Sequence, residues 1–326
     1  MADARAAIAF DRVVKVYPNG EHAVNDVSLE IPPGTFAVFV GPSGSGKTTL
    51  LKTINRLYDV TSGRVLVDGV DVATTDPVAL RRGIGYVIQQ VGLFPHMTIA
   101  ENIAVVPSLL GWERARIAAR VDELLALVHL EPERYRERYP TQLSGGQQQR
   151  VGLARALAAD PQIMLMDEPF GALDAIERER LQHELAELHA RLHKTIAFVT
   201  HDVDEALRLA DLLVVMKAGR LEQAGTPLDI ITGPANVFVA ALLNADDVMR
   251  RFSVMKVGEF KSPAGEAPTP STGHRISVDR DLRTALSLMI SAGVQSLLVV
   301  DAAGAPVGSL TWADMQRAAK PATQKR

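Results

Sequence analysis

From residue 8 to residue 40 apolar and polar positions alternate around the turn signals "YPNG" and "IPPG". A period of two predicts half-buried strands and a β-rich start. The run Thr35 to Val40, "TFAVFV", is an apolar strand leading directly into a glycine-rich loop. Ser62 to Val72 predicts a hairpin turning at Asp68-Gly69, and "RRGIGYVIQQ" supplies another short strand. Between Thr98 and Val128 the period becomes helical, marking a helical insertion at about residues 90–143. From Gly146 onward a helix, the strand Ile163 to Asp167, a helix Ala175 to Leu192, the strand "TIAFVT", a further helix and the strand "LLVVM" follow one another. That alternation predicts an α/β core with a parallel sheet wrapped by helices.

Past Asn244 the character changes. Lys261 to Gly273 is rich in Pro, Gly and Ser and reads as a linker. Arg275 to Ala319 then predicts strand, helix, strand, turn, strand, helix, a unit that buries little surface by itself. The expected organisation is an α/β domain over residues 1–245, a linker or degenerate segment over 246–274, and a small α+β domain over 275–320. Composition adds exclusions. With 326 residues, 47% hydrophobic and 22% charged, the chain has ample core for a globular protein. A formal charge of −3 gives no reason to expect nucleic acid as a partner. The absence of cysteine removes disulfides, thiolate metal sites and Cys nucleophiles, with a reducing cytoplasm the natural compartment. No signal peptide is read at the N-terminus, and the apolar runs fall far short of the roughly 20 residues of a membrane span.

Candidate chemistry begins at "GPSGSGKTT", Gly41, Pro42, Ser43, Gly44, Ser45, Gly46, Lys47, Thr48 and Thr49. The spacing GxxxxGKT after a strand and before a helix is a phosphate loop. Backbone amides from Ser43 to Lys47 would wrap phosphates, the Lys47 ammonium would reach β and γ oxygens, and the Thr48 hydroxyl would ligate Mg²⁺. At the end of "IMLMDEP", Asp167 is placed to hold the Mg²⁺ shell and Glu168 to polarise a water for attack on the γ-phosphate. Adjacent carboxylates repel unless a cation or water separates them, and a metal supplies that cation. His201 in "FVTHD" ends another strand. Spacing alone leaves two roles open for it, a sensor of the γ-phosphate or the commoner structural histidine. "LSGGQQQR" opens glycines onto a helix start like a second phosphate cradle, so the question arises why one domain needs two.

In this order, "GPSGSGKTT", "LSGGQQQR", "IMLMDEPFGALD" and "FVTHD" resemble the nucleotide-binding subunit of ATP-binding cassette (ABC) transporters over about residues 8–240. The resemblance implies that ATP is the nucleotide and that Ser144, Gly145, Gly146 and Gln147 form the family signature. It implies that Asp174 belongs to the D-loop across a dimer interface and that His201 is the switch histidine. Gln89 matches the Q-loop glutamine, which joins the site to the insertion and counts with Thr48 and Asp167 in the Mg²⁺ shell; Gln90 is a lesser candidate. Tyr17 matches the aromatic that stacks on adenine, although an aromatic beside a turn is by itself more often core packing. Subunits of this family pair head to tail, so the signature of one copy closes the site of the other, and that answers the question of the second cradle.

The same resemblance implies a separate integral-membrane permease as partner, an external solute-binding protein acting through it, and a peripheral position on the cytoplasmic face of the membrane. Val87 to Pro107 looks like the version found in importers of quaternary-amine osmoprotectants such as glycine betaine, choline and carnitine. The tail resembles a CBS motif, present in one convincing copy where the family commonly carries two. Import of another small solute, or a soluble ABC ATPase without transport, are the alternatives. Three further features carry no function. "QHELAELH" lacks the second histidine of a zinc-protease helix, His189 and His193 read as a solvated face, and Arg317, Lys320, Lys325 and Arg326 as scattered exposed charge.

Overall fold

Strand Phe36–Val40 is buried at every residue and pairs in parallel with Thr195–Val199 on one side and Leu212–Lys217 on the other. A strand flanked on both sides needs apolar residues on both faces, which is why its sequence does not alternate. Ile163–Asp167 and Ile84–Val87 extend the same parallel sheet, and Arg220–Gly225 adds a sixth strand beyond Leu212–Lys217. The carboxyl ends of the three central strands lead into Gly41, Glu168 and Thr200, so one sheet edge gathers the candidate chemistry. These statements come from a computed structural model that describes residues 6–89, 92–171, 173–263 and 273–319. Gln90, Lys320, Lys325 and Arg326 lie outside the described residues.

A four-stranded antiparallel sheet covers the start of the chain, with Ile8–Val16 between His22–Ile31 and Ser62–Val67. The hairpin turns at Asp68 and Gly69, both at positive φ (48° and 71°), the conformation a two-residue type I′ turn requires. Its inward residues Ile8, Phe10, Val13, Val24 and Val65 form one core with Leu50, Leu51 and Ile54 of helix Lys47–Ile54 and with the parallel sheet. The phosphate-loop helix is therefore clamped between two sheets.

The insertion is helical, in three pieces: Ile99–Leu109, Arg114–Leu127 and Pro132–Tyr135. A capping box of Thr98 and Glu101 starts the first, and Gly111 at φ 73° marks the break that periodicity read through. Buried Asn102 holds the preceding loop by accepting from Phe94 N at 2.8 Å and donating to Phe94 O and Met97 O. Arg150 is buried on helix Gly145–Leu157, donates to Val128 O at 2.9 Å and pairs with Glu184 at 2.6 Å. It ties the end of the insertion to helix Ala175–Leu192.

The chain divides between Glu222 and Gln223, earlier than the expected boundary at 245. Helix Pro227–Thr232 contacts helix Val248–Val254, and Leu228 packs on the same apolar cluster as Phe252, Leu282, Leu297 and Leu310. Within the segment expected to be a linker or degenerate partner, residues 248–263 build helices Val248–Val254 and Val257–Phe260 and the short strand Ser262–Pro263, while 264–272 lie outside the described residues. That strand joins a four-stranded sheet ordered Ser262–Pro263, Pro306–Thr311, Ser296–Val300, Arg275–Ser277. Helices Leu282–Ala292 and Trp312–Ala319 complete the unit in the order the sequence predicts. Buried Asp314 accepts from Thr311 N, Thr311 Oγ1 and Ser262 Oγ and pairs with Arg317, so it fixes both that helix start and the edge strand.

Candidate functional site

Helix Lys47–Ile54 starts from Gly46 at φ 95° with no side-chain cap, so its first N–H groups are not engaged by a capping side chain. A Cβ at Gly46 would run into the Ala23 carbonyl and one at Gly41 into the Met216 carbonyl, whereas Gly44, at φ 76°, faces open space. Two of these glycines are demanded by neighbouring backbone and the third by conformation alone. Lys47 is buried and donates to Gly41 O at 2.8 Å and Pro42 O at 2.9 Å, with Ser45 Oγ at 3.4 Å. Burial holds its ammonium below the usual lysine range, opposed by the charges of Glu168 and Asp167 nearby. The Tyr17 hydroxyl lies 3.0 Å from Thr49 Oγ1, and its ring meets Tyr58 edge-on at 5.9 Å. The aromatic thus stands beside the first turn of the phosphate-loop helix.

Across the sheet edge the Thr48 hydroxyl donates to Asp167 Oδ1 at 2.7 Å, and Lys52 Nζ lies 3.7 Å from Asp167 Oδ2. Glu168 sits at φ 45°, a left-handed conformation that costs a non-glycine residue about 1 kcal/mol or more. Its amide donates to Val199 O at 2.9 Å, and Gly171 N donates to its carbonyl. Those bonds hold the strained turn at the end of the strand. Glu168 Oε2 receives Gln89 Nε2 at 3.3 Å and lies 3.1 Å from His201 Nδ1. Gln89, Glu168 and His201, which are 79 positions apart at the first pair, therefore converge on one oxygen.

A different pattern holds Ser144 to Gln147. Ser144 caps helix Gly145–Leu157, accepting from Gln147 N at 3.4 Å while Gln147 Oε1 accepts from Ser144 N at 3.0 Å. Gln147 also donates to Tyr135 OH at 3.1 Å, Gly146 faces Glu177, and Gly145 faces Leu173. Among the described residues, no hydrogen bond of Ser144, Gly145, Gly146 or Gln147 reaches the phosphate loop. Asp174 caps helix Ala175–Leu192 by accepting from Ile176 N and Glu177 N. The fold assembles the phosphate loop, both carboxylates, Gln89 and His201 in one place and leaves the signature in another.

For a metal, no group of three or more His, Cys, Asp or Glu side chains is available among the described residues. The Thr48 hydroxyl and Asp167 carboxylate instead make a two-oxygen set, which fits Mg²⁺ because that ion is usually completed by substrate phosphates and water. Gln89 has its amide nitrogen engaged by Glu168. His189 does not form a metal pair with His193, since its Nε2 meets Gly34 O at 3.1 Å and its ring lies edge-on to Phe36. Two residues escaped sequence reasoning. Lys52 follows Thr48 by four, which puts both on one helix face, and that spacing was the available signal. Glu205 stands three after the helix cap Asp202, where a capping-box reading would turn it outward, yet it is buried.

Comparison with known proteins matches the ABC transporter family over residues 24–171. The chain is 50% identical over 295 residues to the glycine betaine/carnitine/choline transport ATP-binding protein OpuCA of Bacillus subtilis, covering 90% of this chain and 75% of that protein. It is 48% identical over 309 residues to the glycine betaine uptake system ATP-binding protein YehX of Escherichia coli, covering 94% and 98%. Among solved structures it resembles a dimeric post-hydrolysis state of the ATP-binding cassette MJ0796 bound to ADP and Pi, with 36% identity and a TM-score of 0.60 over 68% of this chain and 98% of that one.

Proposed function

The chain belongs to the ATP-binding subunits of ABC transporters, and from that premise we propose that it hydrolyses ATP to drive uptake of a quaternary-amine osmoprotectant through a separate membrane permease. The observation that carries the catalytic part is the convergence of Gln89 and His201 on Glu168 beside the Thr48–Asp167 pair. In this reading the amides of Ser43 to Lys47 bind the β and γ phosphates and Lys47 leaves its loop carbonyls for the phosphate oxygens. Glu168 takes a proton from the attacking water, and His201 donates to the γ-phosphate. Thr48 and Asp167, with Gln89, would hold Mg²⁺, which when bound neutralises developing phosphate charge. Tyr17 stacks on the adenine.

Ser144, Gly145, Gly146 and Gln147 serve the partner copy in this scheme, because their own phosphate loop is out of their hydrogen-bonding reach. The helix start they form brings positive dipole ends to the γ-phosphate held by the other chain, and Asp174 lies at that seam. ATP is then the material that joins two copies.

No helix among the described residues is long and apolar enough to cross a membrane. From the chain's likeness to transport ATP-binding proteins, solute passage is assigned to the permease and the chain to the membrane's cytoplasmic face. A groove of about 320 Å³ lined by Tyr86, Ile88, Phe94, Val106 and Arg155 lies between insertion and core, and it suits a short permease helix. The strand and helix order of the second unit supports a CBS-like module. The test is uptake of labelled glycine betaine, choline and carnitine at high salt by cells with and without the chain. Loss of uptake of at least one, restored by the wild-type chain but not by Glu168→Gln, is expected. Unchanged uptake of all three refutes the solute class, and restoration by Glu168→Gln refutes the catalytic reading.

A further inference from the structure

The His201 side chain is 64% exposed, so packing around the imidazole does not hold it. Its position against Glu168 must come from the turn that carries it. Thr200 N donates to Phe39 O at 3.1 Å, and Thr200 Oγ1 accepts from Asp202 N at 3.0 Å, which closes the turn around His201. Glu205 N donates to Asp202 Oδ1 at 3.1 Å, and its carboxyl lines the same small cavity as Thr200. Glu205 is 5% exposed, as is Gln182, whose Nε2 donates to Glu205 Oε1 at 2.9 Å. Gln182 lies on helix Ala175–Leu192, and Arg208 donates to its oxygen at 3.3 Å. Glu168, Phe170, Thr200, His201 and Glu205 line one small cavity, so this buried carboxyl sits directly behind the candidate base.

We propose that Glu205 is a positioning residue for His201, its buried carboxyl, held by Gln182, supporting from beneath the Thr200–Asp202 turn that presents the imidazole to Glu168 and the nucleotide. The proposal rests on the assignment of Glu168 and His201 to the ATP site. A buried polar chain of this kind stays in place only if its members are satisfied, and here Arg208 donates to Gln182, Gln182 to the Glu205 carboxyl and Glu205 N to Asp202. A carboxyl that burial holds above the usual carboxylate range is well imitated by the neutral amide of glutamine. Shape and hydrogen bonds, rather than charge, are what the turn needs. The anchor also starts from the helix that Asp174 caps, so a shift of that helix reaches His201 through Gln182 and Glu205.

Steady-state ATPase assays on the full-length chain test this. A misplacement of about 1 Å at a reacting centre can cost about 100-fold. Glu205→Ala is expected to lower kcat by about tenfold or more, with KM for ATP within about twofold because the phosphate loop is untouched. Glu205→Gln is expected to recover kcat to within about threefold. In a His201→Ala background, Glu205→Ala should lower the residual rate by less than about twofold, since the residue acts through a side chain already removed. Should Glu205→Ala fail to fold, Gln182→Leu cuts the same anchor from the other side and should show the same kcat loss and the same silence without His201. An unchanged kcat, or an equal loss in the presence and absence of His201, overturns the proposal. Wild-type turnover by His201→Ala overturns the site assignment beneath it, an outcome distinct from an inactive His201→Ala with an unaffected Glu205→Ala.

Discussion

At the scale of single residues the site is built from side chains pulled away from their easiest states. Lys47 is buried among carbonyls, Glu168 occupies a strained turn, and Glu205 is a carboxyl without bulk water. Lys47→Ala should weaken ATP binding itself, whereas Glu168→Gln should keep binding and nearly abolish turnover; nucleotide titration beside phosphate release separates the two. The glycines differ in what they demand. Gly41→Ala meets the Met216 carbonyl and should abolish nucleotide binding or folding, while Gly44→Ala meets only an unfavourable φ and should cost about 1 kcal/mol, read as a shift in denaturation midpoint. Burial raises the Glu205 carboxyl, so the folded chain keeps a proton that the unfolded chain releases. Its contribution is fully present below the unfolded value near 4.5 and is lost as pH rises through the folded value. Wild-type Tm should therefore fall relative to Glu205→Gln as pH is raised through that window. Residue types were legible because phosphate, metal and water chemistry restrict them and set their spacing. Lys52 beside Asp167 and Glu205 beneath His201 were not, because their partners lie on other elements.

At the scale of elements, the same glycine-rich helix start is used in two ways. The helix after Gly46 has no side-chain cap, and the helix after Ser144 has a complete capping box. Ser144→Ala should cost about 1 kcal/mol through the lost cap, a Tm decrease of roughly 3 °C by calorimetry. A far larger loss of ATPase than of stability is expected, because Ser144 also faces the partner's nucleotide in the proposed dimer. Arg150 shows the insertion being held by one buried ion pair and a carbonyl. Arg150→Ala removes the bond to Val128 O and the pairing with Glu184, which Arg180 still meets at 3.2 Å, and should cost about 2 kcal/mol in chemical denaturation. Residues 248–263 illustrate the limit of pattern reading. Their helices are shorter than two helical repeats, so periodicity had little to register, and their apolar residues find meaning only against Leu282 and Leu297.

At the scale of the whole molecule, the proposed function gives one chain halves of two different sites. In the proposed dimer the phosphate loop and carboxylates of one copy meet the signature of the other. ATP should therefore drive Glu168→Gln into a stable dimer, seen as a doubled mass by light scattering after size exclusion, and replacing Gly145 with a bulky residue should abolish it. A monomer at every ATP concentration, with turnover at full rate, contradicts the shared site. The division after Glu222 gives the second unit its own apolar core, continuous from Phe252 to Ala318.

The sequence by itself determined the phosphate loop, the carboxylate pair, the signature and the parallel core, because these depend on local spacing and on the period of burial, both written along the chain. Only the tertiary structure decided that Gln89 and His201 meet at Glu168, that Lys52 and Glu205 stand behind the site, and that the second unit begins at Gln223. Those outcomes depend on which strands become neighbours and which side chains are then shut away from water, and neither quantity has a period that a linear pattern can carry.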